Sequence, residues 1–267
     1  MAKDLVHFNN IRIFNSRLPD PATGTIYCFS DRKGKGASYL FGQNASKGEH
    51  KVLRRIDKIT SYGHIHQLIE VFTLNNRGHA FWREKHAPPQ RVASDKWTDV
   101  VIDGVAYLLS WDAFYELTFS RRVNGEDMII TFDLETEEWG TILGPNISSL
   151  GNAFQVLPGW LTLADLNGSL AVVCLYGLVP SMDIWISTDI AKGDWVKWYS
   201  ITFEQYDMLC YVHPLSVLDD QRVVIYIEDK ELLQSYNPRT NTFTNVVELE
   251  HCSSISLYTG NLLNLNC

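Results

Sequence analysis

The sequence predicts an all-β chain built as a propeller of four-stranded antiparallel blades. Three observations predict it. Helix signals are scarce, and no run of four turns carries an apolar stripe. Short runs rich in Val, Ile, Leu, Tyr and Trp recur, separated by Gly, Asn, Asp and Pro clusters. A strand, polar turn and aromatic then repeat along the chain with a spacing of about 50 residues, as expected of radial repetition.

The strand candidates are Val105–Leu109 and the runs 128–132, 170–175, 183–186, 222–227 and 232–236, each of strand length and β-branched or aromatic in character. Strand-like sequence also begins early, over residues 8–14. The repeat is clearest in Ile130-Thr-Phe-Asp-Leu-Glu-Thr-Glu-Glu-Trp139. It recurs in Trp185-Ile-Ser-Thr-Asp-Ile-Ala-Lys-Gly-Asp-Trp195 and Gln234-Ser-Tyr-Asn-Pro-Arg-Thr-Asn-Thr-Phe243, with a looser copy over residues 71–82. The closing aromatics Trp82, Trp139, Trp195 and Phe243 lie 57, 56 and 48 residues apart. A large aromatic recurring at one position reads as packing between blades, not as a ligand box.

A second element precedes each of the last three repeats. Asp103-Gly104, Asn167-Gly168 and Asp219-Asp220 each lead into an apolar strand. Asp-Gly and Asn-Gly favour tight hairpins because Gly accepts positive φ. Each unit therefore reads strand, tight turn, strand, variable loop, strand, polar turn, strand. At about 45 residues per blade, 267 residues hold six blades, the first degenerate, with strands from both termini closing the ring. The whole chain, 1–267, forms one domain.

Net charge is −8, unevenly spread. Residues 1–102 carry 16 Lys/Arg against 9 Asp/Glu, and residues 103–267 carry 7 against 22. A polyanion would be repelled over most of the surface, which argues against nucleic acid and for a protein partner with a basic patch. No apolar run reaches the roughly 18–20 residues of a membrane helix. The N-terminus lacks a signal-peptide core, so the expected location is cytoplasmic or nuclear. Five dispersed cysteines have no zinc spacing.

Motifs for chemistry are absent. There is no Gly-x-Ser-x-Gly, no Walker loop and no His-Glu-x-x-His. Gly34-Lys-Gly36 reads as a solvated loop, and His64-Ile-His66 as a surface pair. Asp219-Asp220 and Glu228-Asp229-Lys-Glu231 read as turn chemistry. No cofactor, metal or catalytic residue is expected.

In a four-stranded blade the first-to-second and third-to-fourth strand turns share one end. The second-to-third loops and the blade connections share the other, and they vary more, as recognition loops do. The longest, residues 110–127, carries Trp111, Phe114, Tyr115, Arg121 and Arg122. Tyr176 lies in the equivalent shorter loop. Phe203, Tyr206 and Asp207 lie in a blade connection. Aromatics beside charges are typical interface anchors, so these nine residues are the candidate partner-binding set.

The ordered series Val101-Ile-Asp-Gly-Val-Ala-Tyr-Leu-Leu, Ile129 to Trp139, Leu166-Asn-Gly-Ser-Leu-Ala-Val-Val, Met182-Asp-Ile-Trp-Ile, Trp195-Val-Lys-Trp-Tyr-Ser-Ile, Tyr236-Asn-Pro-Arg-Thr-Asn-Thr-Phe and Ser256-Leu-Tyr-Thr-Gly-Asn-Leu-Leu resembles the F-box-associated domain of plant F-box proteins. The match is good from Val71 to Leu263 and looser over residues 39–56. The resemblance implies a kelch-like propeller that captures target proteins, which an N-terminal F-box hands to a cullin-based ubiquitin ligase. The 40–50 helical residues of an F-box are not found in this sequence. The resemblance therefore implies target recognition for ubiquitin ligation or, without the F-box, sequestering or redirecting the target. A ligase adaptor would dock only through an F-box elsewhere. Two other readings remain open: a propeller binding a small molecule or glycan on its axis, and a propeller enzyme with a convergent axial cluster.

Overall fold

A computed structural model of the chain describes residues 5–6, 17–19, 26–28, 37–43, 49–59, 65–74, 81–94, 97–113, 128–147, 156–176, 180–203, 212–249 and 256–257. The strand-like run 8–14 lies outside them.

Four complete blades follow one another. Blade 1 holds β4 (Ala37–Gln43), β5 (His50–Ile59), β6 (Ile65–Leu74) and β7 (Arg83–Lys85). Blade 2 holds β8 (Asp99–Ile102), β9 (Val105–Leu109), β10 (Ile129–Asp133) and β11 (Trp139–Ile142). Blade 3 holds β12 (Val156–Leu166), β13 (Ser169–Tyr176), β14 (Ser181–Asp189) and β15 (Asp194–Thr202). Blade 4 holds β16 (Val212–Val217), β17 (Val223–Ile227), β18 (Leu232–Asn237) and β19 (Thr242–Glu248). Each is a sequential antiparallel meander. Two two-stranded sheets complete the described residues. β2 (Arg17–Pro19) pairs with β3 (Ile26–Cys28), and β1 (Leu5–Val6) pairs with β20 (Ser256–Leu257). Among the described strands the first thus joins the last, in line with the expectation that strands from both termini close the ring. The first strands of successive blades, β4, β8, β12 and β16, are neighbours, and β20 lies beside β16.

The blades pack face to face, and alternate residues of one strand serve different seams. In β9, Ala106 and Leu108 face blade 1, whereas Tyr107 and Leu109 face blade 3. In β13, Leu170, Val172 and Cys174 face blade 2, whereas Ala171, Val173 and Leu175 face blade 4. A strand buried on both faces needs apolar residues at every position, which is why these runs are continuous rather than alternating.

The tight turns have the conformation their residues favour. Asp103 and Gly104 have φ of 48° and 80°, and Asn167 and Gly168 have 60° and 86°. Two consecutive positive φ values define the hairpin turn whose twist suits its strands. The third turn lacks the glycine and differs. Leu218 and Arg222 close it, with Gln221 at φ 71°.

The repeat aromatics tie the blades together. Trp139 Nε1 donates to the His86 carbonyl at 2.9 Å, and Trp195 Nε1 donates to the Leu143 carbonyl at 2.8 Å. His86 and Leu143 both directly follow the last strand of the preceding blade. Phe243 has no N–H, and it packs instead on Phe203, ring centroids 5.4 Å apart, at the corresponding place after β15.

Candidate interaction face

The two ends of the ring differ in kind. At the tight-turn end, the three polar turns of blades 2, 3 and 4 are self-satisfied. Asp133 Oδ1 accepts from the Glu135 and Thr136 amides at 2.6 and 3.0 Å. Asp189 Oδ1 accepts from Lys192 N at 3.2 Å, and Asn237 Oδ1 from Arg239 N at 3.0 Å. Glu137, Gly193 and Asn241 take the left-handed conformation that finishes each turn. The side chains that make these loops acidic or amide-bearing are engaged in shaping them.

Glu137 does more. Its carboxylate accepts from Lys51 Nζ at 2.8 Å and Arg83 Nη2 at 2.6 Å, and it also pairs with Lys85. All three cations belong to blade 1. Burial alone would raise the Glu137 carboxyl, but the hydrogen bonds from Lys51, Lys85 and Arg83 outweigh it and hold the pKa at about 2.

The opposite end is built from the second-to-third strand loops and the blade connections. Between blades 1 and 2 the connection is fastened by Gln67. Its amide accepts from Val92 N at 2.8 Å and donates to Val92 O at 2.9 Å. The same Nε2 donates to Asp57 Oδ1 at 2.9 Å, and Asp57 Oδ2 accepts from Ser94 Oγ at 2.5 Å. On its other side the connection pairs with blade 2, Ala93 N donating to Leu109 O and Trp111 N to Arg91 O. This seating lays the Arg91 guanidinium over the Trp111 ring, 3.7 Å from its centre.

Trp111 is half-buried, opens a single helical turn over 111–113, and packs against the core between blades 2 and 3. Tyr176 is the last residue of β13, not a loop residue. It is buried, and its hydroxyl donates to Asp183 Oδ2 at 3.1 Å. Asp183, also buried, accepts from Lys197 Nζ at 2.8 Å and Ser200 Oγ at 2.7 Å. Phe203 is buried as well, against Phe243. Tyr176 and Phe203 are therefore buried and do not present surface to a partner. Tyr176 ends β13 and Phe203 directly follows β15, places where one position decides between core and rim. Phe114, Tyr115, Arg121, Arg122, Tyr206 and Asp207 lie outside the described residues.

Among the described residues at this end, the buried Cys174 and Tyr176 are not poised as nucleophiles. Burial first, and the Asp183 carboxylate second, push the Cys174 thiol far above its ordinary value. Burial, then Cys174 and Asp183, do the same to the Tyr176 phenol. Both stay protonated at neutral pH. Among the described residues no group of three or more His, Cys, Asp or Glu side chains is placed to hold a metal ion. No helix among them is long and apolar enough to cross a membrane.

Sequence reasoning missed two features of this end. One is Gln67, which resembles any strand glutamine. The other is Trp97, just before β8. Its backbone adopts φ 63°, its carbonyl accepts from Leu163 N of blade 3 at 2.7 Å, and its ring stacks on His213 of blade 4. The one sequence signal was a tryptophan inside a polar connection, outside the repeat.

A search of curated proteins finds no match. Among solved structures, virginiamycin B lyase from Staphylococcus aureus is 11% identical, covering 85% of this chain and 76% of that one, with a TM-score of 0.35. A putative glycosidase from Bacteroides thetaiotaomicron is 12% identical over 95% of this chain and 84% of that one, with a TM-score of 0.39. A glycosyl hydrolase from Bacteroides ovatus is 12% identical over 96% and 79%, with a TM-score of 0.34. Likenesses at these values carry no argument about chemistry. The family comparison is of another order: the sequence model of the F-box associated beta propeller domain matches residues 7–256. With that match over nearly the whole length, and four meander blades latched by their repeat aromatics, the chain belongs to the F-box associated beta propeller domain family.

Proposed function

We propose that this chain is a non-enzymatic recognition module that captures a target protein on the end formed by the second-to-third strand loops and blade connections. The observation that carries the reading is the difference between the two ends. The tight-turn end repeats one self-satisfied turn three times. The other end has loops of unequal length and seats Trp111 under Arg91 on a fastened connection. Recognition residues belong on variable loops held by a rigid scaffold. The contact set is Trp111, Phe114, Tyr115, Arg121, Arg122, Tyr206 and Asp207, without the buried Tyr176 and Phe203.

The family supports a role in F-box proteins, where the target is presented for ubiquitin ligation by other subunits. In a polypeptide without an F-box, the same capture sequesters or redirects the target. The acidic balance of residues 103–267 favours a target with a basic patch, and the expected compartment is cytoplasm or nucleus. The test is affinity purification from native tissue with mass spectrometry. Wild type is compared with a Trp111→Ala, Tyr115→Ala, Tyr206→Ala variant that melts normally. A target captured by wild type and lost by the variant supports the reading, and equal capture overturns it. Capture should also weaken as salt rises.

A further inference from the structure

Among the described residues, three cations lie against tryptophan rings. Arg54 lies over Trp82, 3.9 Å from the ring centre, Arg91 over Trp111 at 3.7 Å, and Lys197 over Trp185 at 5.1 Å. The first and the last also hold a carboxylate. Arg54 Nε donates to Glu70 Oε2 at 2.9 Å, and Lys197 Nζ donates to Asp183 Oδ2 at 2.8 Å. A cation on an aromatic face still has N–H groups to satisfy, and in blades 1 and 3 the chain supplies the acceptor itself. Arg91 is the exception. Its Nε is buried without an acceptor, and among the described residues no hydrogen bond or ion pair engages its guanidinium. Asp112, next to Trp111 in sequence, is exposed and makes no ion pair with it.

The exception sits at the end proposed to bind the target, and its placement is fixed. The Arg91 carbonyl accepts from Trp111 N at 2.7 Å. The next residue, Val92, is buried, pairs with Ser110 and is held by both ends of the Gln67 amide. Trp111, the other half of the stack, packs against the core between blades 2 and 3. A guanidinium whose backbone is tied down and whose plane is set by a ring loses little freedom on binding. One planar fork suits the two oxygens of a carboxylate, whereas a phosphate is ordinarily gathered by several cations. Lys58 and His66 supply no second cation here. They alternate with Asp57 and Gln67 along β5 and β6, and so point to the opposite face of blade 1.

We propose that Arg91, stacked on Trp111, is the site that reads a carboxylate of the target protein, an Asp or Glu side chain taking the place that Glu70 and Asp183 fill beside the other two stacks. The inference rests on the reading that this end is the interaction face, and it adds a residue that lies outside the candidate set read from the sequence. The target would then meet the acidic later blades with basic surface and present one acidic side chain to the connection between blades 1 and 2.

The experiment places a photo-crosslinking amino acid at Asp112, beside the stack, or at Thr240, in a tight turn of blade 4. Each protein is irradiated in a native extract, with and without phosphatase treatment, and the crosslinked peptides are sequenced. The proposal expects position 112 to capture a protein in both extracts, at a site with Asp or Glu beside it. In purified binding to that protein, Arg91→Lys and Arg91→Gln should each lower affinity about tenfold or more without changing the melting temperature. The Lys variant keeps the charge and loses the fork. Replacing the target's acidic residue by its amide should cost as much, and the two changes together no more than either alone. Losses that simply add, or capture that phosphatase abolishes, overturn the carboxylate site and leave the proposed face standing. The same holds if a Glu116→Gln, Glu126→Gln, Asp127→Asn variant weakens binding as Arg91→Lys does and leaves that change no further effect, because the carboxylate is then the chain's own. Capture by 240 alone, or by neither position, overturns both.

Discussion

The ring of Trp97 lies on the ring of His213, centroids 4.3 Å apart and planes inclined by 23°. Trp97 precedes the first strand of blade 2 and His213 belongs to the first strand of blade 4, so the contact passes over blade 3. Trp97 also packs beside the cluster of Leu215, Tyr226 and Leu233. Trp97→Ala should lower unfolding free energy by about 2–4 kcal/mol, less than a fully buried Trp because the residue is partly exposed. Trp97→Phe should recover more than half, since a smaller ring can still stack. Urea denaturation of the three proteins measures this.

Glu137 makes stability pH-dependent in a defined window. Its folded pKa is about 2 against an ordinary 4.5, so the folded state binds its proton less readily than the unfolded state. The resulting stabilisation is complete above about pH 4.5 and is lost as pH falls from there toward 2. Arg83 is 40% exposed, so solvent screens part of the interaction. We expect Glu137→Gln to cost about 2 kcal/mol at pH 7 and to remove this component of the acid transition. Urea midpoints at pH 7, 4 and 3 for both proteins test it.

The two indole latches should be separable from the packing of their rings. Trp139→Phe and Trp195→Phe keep most of the aromatic bulk but leave the His86 or Leu143 carbonyl without its donor. Each should cost about 1 kcal/mol. Phe243→Ala, which removes packing on Phe203 and Tyr236, should cost about 3 kcal/mol. No measurable loss from Trp139→Phe and Trp195→Phe would show that the N–H bonds contribute nothing beyond ring packing.

Gln67→Leu keeps the side chain's size and removes both ends of its amide. The buried Val92 N–H and carbonyl then lose their partners, at a cost of about 2–4 kcal/mol. Amide hydrogen exchange should show Val92 opening without global unfolding, because the loss is confined to the connection. The Arg91–Trp111 stack should loosen with it, read as a change in Trp111 fluorescence against a Trp111→Phe background.

Gly193 has two reasons to be glycine. Its φ is 70°, and a Cβ there would approach the Leu143 Cβ to 2.8 Å. Gly193→Ala should cost about 1–3 kcal/mol, and Leu143→Gly in the same chain, which removes the Cβ that would be met first, should recover the steric part but not the conformational part. Thermal melts of the single and double variants decide between them.

What was legible in the sequence was local. Asp103-Gly104 and Asn167-Gly168 announce their turns because two adjacent residues determine them. Trp139 and Trp195 announce the blades because the repeat returns them to one place. What was not legible depends on distant partners. Gln67 is read only when Val92 lies against it, and Trp97 only when His213 arrives from 116 residues away. Asp183 likewise needs Tyr176, Lys197 and Ser200 on three separate rungs. Tyr176 and Phe203 were read as rim residues because the pattern could not say whether their strands ended just before or just after them.

The pairing of Leu5 with Leu257 governs when the molecule can finish folding. On a ribosome, β1 emerges before the blades and waits through the synthesis of each of them for its partner strand. Until then the growing chain has an open arc with β1 unpaired. Bringing together residues 252 apart carries a large loop-closure entropy that the preformed arc lowers, so closure is the late, slow step. A nascent or truncated chain would hold its blades side by side while the exposed first strand invites foreign pairing.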